Sequence, residues 1–298
     1  LVNKYIEIVY PCYIPSKLSI SDKEIIRLPL SYFDDSAKIQ KTILLCENLN
    51  DVALYEVIAK AFLIWKERSH TQLAYDSRGG GGTSIAGEYE SIQNKHERMC
   101  LCIVDSDKKS PNSKLGSTAS NIQSLDNTNN VITQLHILEV REAENLIPYQ
   151  LLSEITEGNR DREKFVFMLE TICASPSVEI AKFIDIKKGT NLKEIVKSNN
   201  SNIEDFWRDK ITGNRDFSSI LNSWCWDNWE CEKLNSRPCT CIVVPHFGES
   251  TLENITNLCR NELPRHVACK VDQYLRSEWE TIGQIIVDWC LAERPMRA

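Results

Sequence analysis

The sequence predicts an α/β domain on a mainly parallel sheet flanked by helices, followed by a mostly helical C-terminal domain. Three observations predict it. Thr42–Cys46 and Met99–Val104 are apolar runs without charge, as strands buried on both faces read. Helical sequence lies between such runs, which a parallel crossover needs. From Tyr149 onward helical periodicity takes over, as in residues 162–173, 190–198 and the amphipathic stretch 269–293. The implied divisions are an N-terminal strand-bearing extension over 1–40, the α/β domain over 41–148 and the helical domain over 149–298.

Within 1–40, Tyr5, Ile6, Ile8 and Val9 followed by Pro11 and Pro15 suggest a leading strand or hairpin packed beside the main domain. Strand-like Thr42–Cys46 passes through Glu47-Asn48-Leu49-Asn50 into a stretch with helical spacing at Val52, Tyr55, Ala59, Phe62 and Leu63. A second strand ends at four glycines, Gly79–Gly82, where backbone can approach something closely or simply turn. Helix-like sequence runs on to about Arg98, ahead of the Met99–Val104 strand. Residues 112–130 are polar, with an Asn-rich end that reads as a loop, and Val131–Val140 is a further strand.

Three strand ends carry acids: Glu47 with Asp51, Asp105 with Asp107, and Glu142 with Glu144. Asp105-Ser106-Asp107 alone is equally a turn capping a strand. If the strands are parallel, however, all three clusters gather at the carboxyl edge of the sheet, where open α/β folds bind ligands. Clustered carboxylates repel unless a cation lies between them, and Mg²⁺ favours such oxygen ligands.

With these residues in view, the chain resembles the TOPRIM domain, in the version found in overcoming-lysogenization-defect (OLD) nucleases and related prokaryotic anti-phage effectors. Glu47-x3-Asp51, the glycine turn, Asp105-x-Asp107 and Arg141-Glu142-Ala143-Glu144-Asn145 carry the resemblance over residues 41–148. It extends more weakly to Phe183–Gly189 and Trp289–Arg297. The resemblance implies one or two Mg²⁺ or Mn²⁺ ions and cleavage of DNA or RNA, tRNA included. Glu47 would be a metal ligand or general base, Asp51, Asp105 and Asp107 ligands, and Glu142 or Glu144 would complete the site. Lys187 or Lys188 would stabilise phosphoryl charge. Asn48 stands where the family has Gly, and Asn tolerates the left-handed conformation. No Gly-x4-Gly-Lys-Ser/Thr occurs, so the resemblance further implies an effector held and released by an ATPase partner of ABC/SMC type.

The net charge of −7 argues against a protein that coats nucleic acid non-specifically, though not against an enzyme that grips phosphate through metal ions and a local basic patch. Lys108, Lys109 and Lys114 are the candidate phosphate contacts. No apolar run approaches the roughly 20 residues of a membrane span, and no signal peptide is read. The chain opens at Leu1, which suggests a few preceding residues. Twelve cysteines, several in apolar runs, read as buried thiols in a reducing, cytoplasmic compartment. Cys225, Cys231, Cys239 and Cys241, near His246, fit no common zinc spacing, although zinc there is one reading. Trp224, Trp226 and Trp229 read as a small satellite core or partner surface rather than base-stacking groups. Homo-oligomerisation is left open. The rival to a nuclease is a non-catalytic subunit of a defence complex, its acids holding a structural cation and its Trp/Cys segment docking a partner.

Overall fold

The computed structural model describes residues 2–10, 14–156, 158–175, 177–196, 201–212 and 242–292. The zinc and tryptophan readings at 224–241 lie outside them; of that group only His246 is described.

The chain opens with β1 (Lys4–Val9), β2 (Ser16–Ile20) and β3 (Lys23–Pro29) in the order β1-β3-β2, with β1 parallel and β2 antiparallel to β3. Ile26 and Leu28 of β3 pack on Val131, Ile132 and Met99. The small sheet therefore covers the points where two strands of the main sheet begin, away from their carboxyl ends.

The main α/β unit runs β4 (Thr42–Cys46), α1 (Leu49–Trp65), β5 (Gln72–Leu73), β6 (Tyr75–Gly79), α2 (Ile85–Lys95), β7 (Cys100–Val104), α3 (Ser117–Leu125) and β8 (Thr133–Ile137). Four strands pair in the order β6-β4-β7-β8, all parallel. Alternation along the strands divides the core. Leu44, Cys46, Leu101 and Ile103 face α1, whereas Ile43, Leu45, Cys100, Cys102 and Val104 face α2 and α3. The chain leaves β4 in one direction for β6 and then crosses to β7 on the other side. Carboxyl ends flanking such a reversal form the crevice of an open α/β sheet.

Between β7 and β8, α3 buries Ala119 and Ile122, and the Asn-rich end that follows it is irregular. One expectation needs correction. The stretch 190–198 begins as strand, not helix: Thr190 and Asn191 form β9, which pairs with a later strand, and α6 (Leu192–Val196) follows.

The helical region also holds α4 (Tyr149–Ser153), α5 (Arg160–Cys173), α7 (Ser201–Thr212), β10 (Ile242–Val244), α8 (Thr251–Asn261), α9 (Pro264–Cys269), α10 (Arg276–Cys290) and β11 (Leu291–Ala292). α1 is apolar around most of its girth because it lies between the sheet and α8, α9 and α10. α10 approaches so closely that a Cβ on Gly283 would lie 2.4 Å from Phe62 Cβ. Thr42 Oγ1 donates to Trp289 O at 2.7 Å, Trp279 Nε1 to Leu146 O at 2.8 Å, and β11 pairs back onto β5. Among the described residues no helix is long and apolar enough to cross a membrane.

Candidate metal centre

Glu47 follows β4 and Asp105 follows β7, the two strands flanking the reversal. The Asp105 amide donates to Glu47 Oε1 at 3.3 Å and bridges the crevice. The glycine turn after β6 fixes the Glu47 backbone: Gly80 N donates to Cys46 O at 2.8 Å and Gly81 N to Glu47 O at 3.1 Å. Gly81 and Gly82 both have φ of +64°, and a Cβ on Gly80 would strike Ile85 at 2.4 Å, so the turn requires glycine.

Asp51 lies in the first turn of α1, where its Oδ2 accepts the Asn48 amide at 2.8 Å while Asn48 Oδ1 accepts Asn50 N at 3.1 Å. This reciprocal cap corrects the reading of Asn48. It is extended (φ −135°, ψ 153°) and serves as the helix N-cap, so no left-handed tolerance is required.

The second and third acidic clusters are laced together. Ser106 Oγ donates to Val140 O at 2.6 Å, Asp107 N to Arg141 O at 2.9 Å, and Ala143 N to Asp105 Oδ1 at 2.9 Å. Asp107 is exposed, with φ of 54°, and its side chain lies against Gly116, where a Cβ would come within 2.2 Å of Asp107 Oδ2. Glu142 and Glu144 keep only 7% and 4% of their surface in water, and both turn onto Lys187: Nζ lies 3.1 Å from Glu142 Oε2 and 3.3 Å from Glu144 Oε1. Of the two lysines considered, it is Lys187 that reaches the acids; Lys188 is exposed.

Lys187 is delivered by a pinned turn. Asp185 Oδ1 accepts Lys188 N at 2.7 Å, Asp185 O accepts Gly189 N at 2.8 Å, and Asp185 Oδ2 takes the Arg141 guanidinium at 2.8 Å. Asn145 donates to the carbonyls of Ala181 and Ile184, both at 2.9 Å. Gly189 has φ of +79°, and a Cβ there would meet Val244 O at 2.8 Å. Asp185 and Asn145, to which the sequence assigned no role, hold the turn that carries Lys187. Asp185, four residues ahead of a glycine, carried an Asx-turn signal that could have found it. Nor did the sequence single out buried Trp207 of α7, whose Nε1 donates to Lys109 O at 2.8 Å and steadies the loop after Asp107.

Crowded acids are reluctant to ionise. Burial, followed by repulsion from Asp51, Glu47, Glu144 and Glu142, drives the Asp105 carboxyl well above its ordinary value. Burial pushes Asp51 up to about 7, against the pull of the Asn48 amide. Glu47 is raised by burial and by Asp107, and Glu144 by burial despite Lys187. Burial works against the Lys187 ammonium, but Glu144 and Glu142 outweigh it and hold the group charged. Among the described residues no three acidic, His or Cys side chains close into a formed metal cage. The donor set still fits a hard divalent ion, being all carboxylate oxygen at one sheet edge, and its mutual repulsion is what such an ion relieves. Of the predicted phosphate contacts, Lys108 Nζ lies 3.9 Å from Glu139 Oε2 and Lys114 is exposed.

No family model, no curated protein and no solved structure matches this chain.

Proposed function

We propose that the chain is a TOPRIM-type, divalent-metal-dependent nuclease, the effector arm of a prokaryotic anti-phage system governed by an ATPase partner. One observation carries the reading: acids from three strand ends converge beside the reversal in strand order, with one lysine among them. Glu47, Asp105 and Asp107 supply oxygens for Mg²⁺ or Mn²⁺, with Asp51 behind them and Glu142 and Glu144 opposite. When bound, the ion lowers the pKa of water and neutralises the scissile phosphate. The chain itself contributes a rigid crevice, a carboxylate at Glu47 to accept a proton, and the Lys187 charge to face the phosphoryl group. A net charge of −7 suits an effector that grips nucleic acid only where metal and local lysines allow.

Incubation of tRNA, single-stranded DNA and supercoiled DNA with Mg²⁺ or Mn²⁺, with EDTA as control, tests this. Cutting is expected for the wild type and lost in Asp105→Ala, which stays folded. A folded wild type that remains inert with its co-encoded partner and trigger overturns it. That result would favour the second reading, a non-catalytic subunit, which draws support from the internal neutralisation of Glu142 and Glu144 by Lys187.

A further inference from the structure

We infer that Lys187 stands in place of one cation, so that the crevice admits a single divalent ion per chain, held on the Glu47, Asp105 and Asp107 side. The inference rests on the metal reading above and decides between one ion and two. Glu142 and Glu144 present their carboxylates to one ammonium, at 3.1 and 3.3 Å, and both are almost wholly enclosed. A divalent ion would need those same oxygens at roughly 2.1 Å, a position the ammonium contests.

Lys187 is not easily withdrawn. Its turn is tied by Asp185 to Arg141 and to the Lys188 amide, by Asn145 to two carbonyls, and by Gly189, which has no room for a side chain against Val244 and His246. These contacts fix the backbone from which Lys187 reaches Glu142 and Glu144. Across the crevice the balance is reversed. Among the described residues Glu47, Asp105 and Asp107 form no salt bridge; Glu47 is half-buried and Asp107 exposed, so both are open to an ion from solvent. Two carboxylates with a fixed lysine, facing three without one, make a site with one covalently tethered charge and one exchangeable charge.

Titration of EDTA-stripped, full-length protein with Mn²⁺ tests this, counting bound ions by electron paramagnetic resonance and calorimetry. The wild type is expected to bind one Mn²⁺ per chain. Glu144→Gln should leave that count unchanged, since Glu144 serves the lysine rather than the ion. Lys187→Gln should admit a second Mn²⁺. A wild type that binds two ions, one of them lost in Glu144→Gln, overturns the inference and leaves the metal reading standing. A wild type that binds none overturns both. If Lys187→Gln fails to fold, judged by near-ultraviolet circular dichroism, the wild-type count and the Glu144→Gln titration decide alone.

Discussion

Gly116 has an ordinary backbone (φ −63°), yet its missing side chain makes the space that Asp107 occupies, since a Cβ would lie 2.2 Å from Asp107 Oδ2. Because the new Cβ would also lie 2.4 Å from Asp107 Cβ, Gly116→Ala is expected to push the Asp107 carboxylate and its loop aside. Mn²⁺ affinity should fall by about 10- to 100-fold in calorimetry, with a lowered melting temperature. Asp105→Asn should raise stability. It removes a charge that burial and four neighbouring acids disfavour, so thermal melting at pH 7 should shift upward as cleavage is lost. Glu47 and Asp105 were legible in the sequence because each ends an uncharged strand run, whereas Glu142 and Glu144 follow a run that holds Glu139. The choice of Lys187 over Lys188, and the cap role of Asn48, were not legible. Both depend on backbone direction across a turn, which residue type alone leaves open.

Helices and strands differ in how plainly they announced themselves. β4 and β7 are enclosed on both faces, and their sequences are correspondingly uniform. α3 is short and polar, and its apolar signal is confined to Ala119, Ile122 and Leu125. The packing of α10 on α1 depends on Gly283 meeting Phe62, a contact between residues more than 200 positions apart. Gly283→Ala should force the helices apart and cost about 1–3 kcal/mol in urea unfolding, despite the better helix propensity of alanine. At the start of α4, Asp272 Oδ2 accepts Tyr149 N at 3.1 Å, and burial pushes its carboxyl up to about 6. Because the folded value exceeds the ordinary 3.8, this group favours the fold at low pH and loses that contribution as pH rises through 6. Asp272→Asn keeps the acceptor. It should therefore raise the melting temperature by about 2 °C at pH 7 and leave it unchanged at pH 3.5.

At the scale of the whole molecule, one apolar core runs from Leu44 and Val52 through Phe165 and Trp207 to Trp279 and Cys290. α/β sheet and helical region share it, and hydrogen bonds from Thr42 and Trp279 stitch the seam. Far-ultraviolet circular dichroism and tryptophan fluorescence should accordingly report one coincident urea transition; two separated transitions would show independent units. On the proposed metal reading, Mg²⁺ binds the folded crevice and not the unfolded chain. At about a hundred times its dissociation constant it should add about 2.7 kcal/mol, and EDTA should abolish that gain.

The sheet also carries its own clock. Cys46, Cys100 and Cys102 sit in adjacent central strands, completely enclosed, while Cys269 lies exposed on the surface. An alkylating reagent will mark Cys269 at once and reach the strand thiols only when β4 and β7 part. The rate of that second labelling, followed by mass spectrometry, measures how often the crevice comes open, and its slowing by an added ion or nucleic acid reports binding without any assay of cleavage.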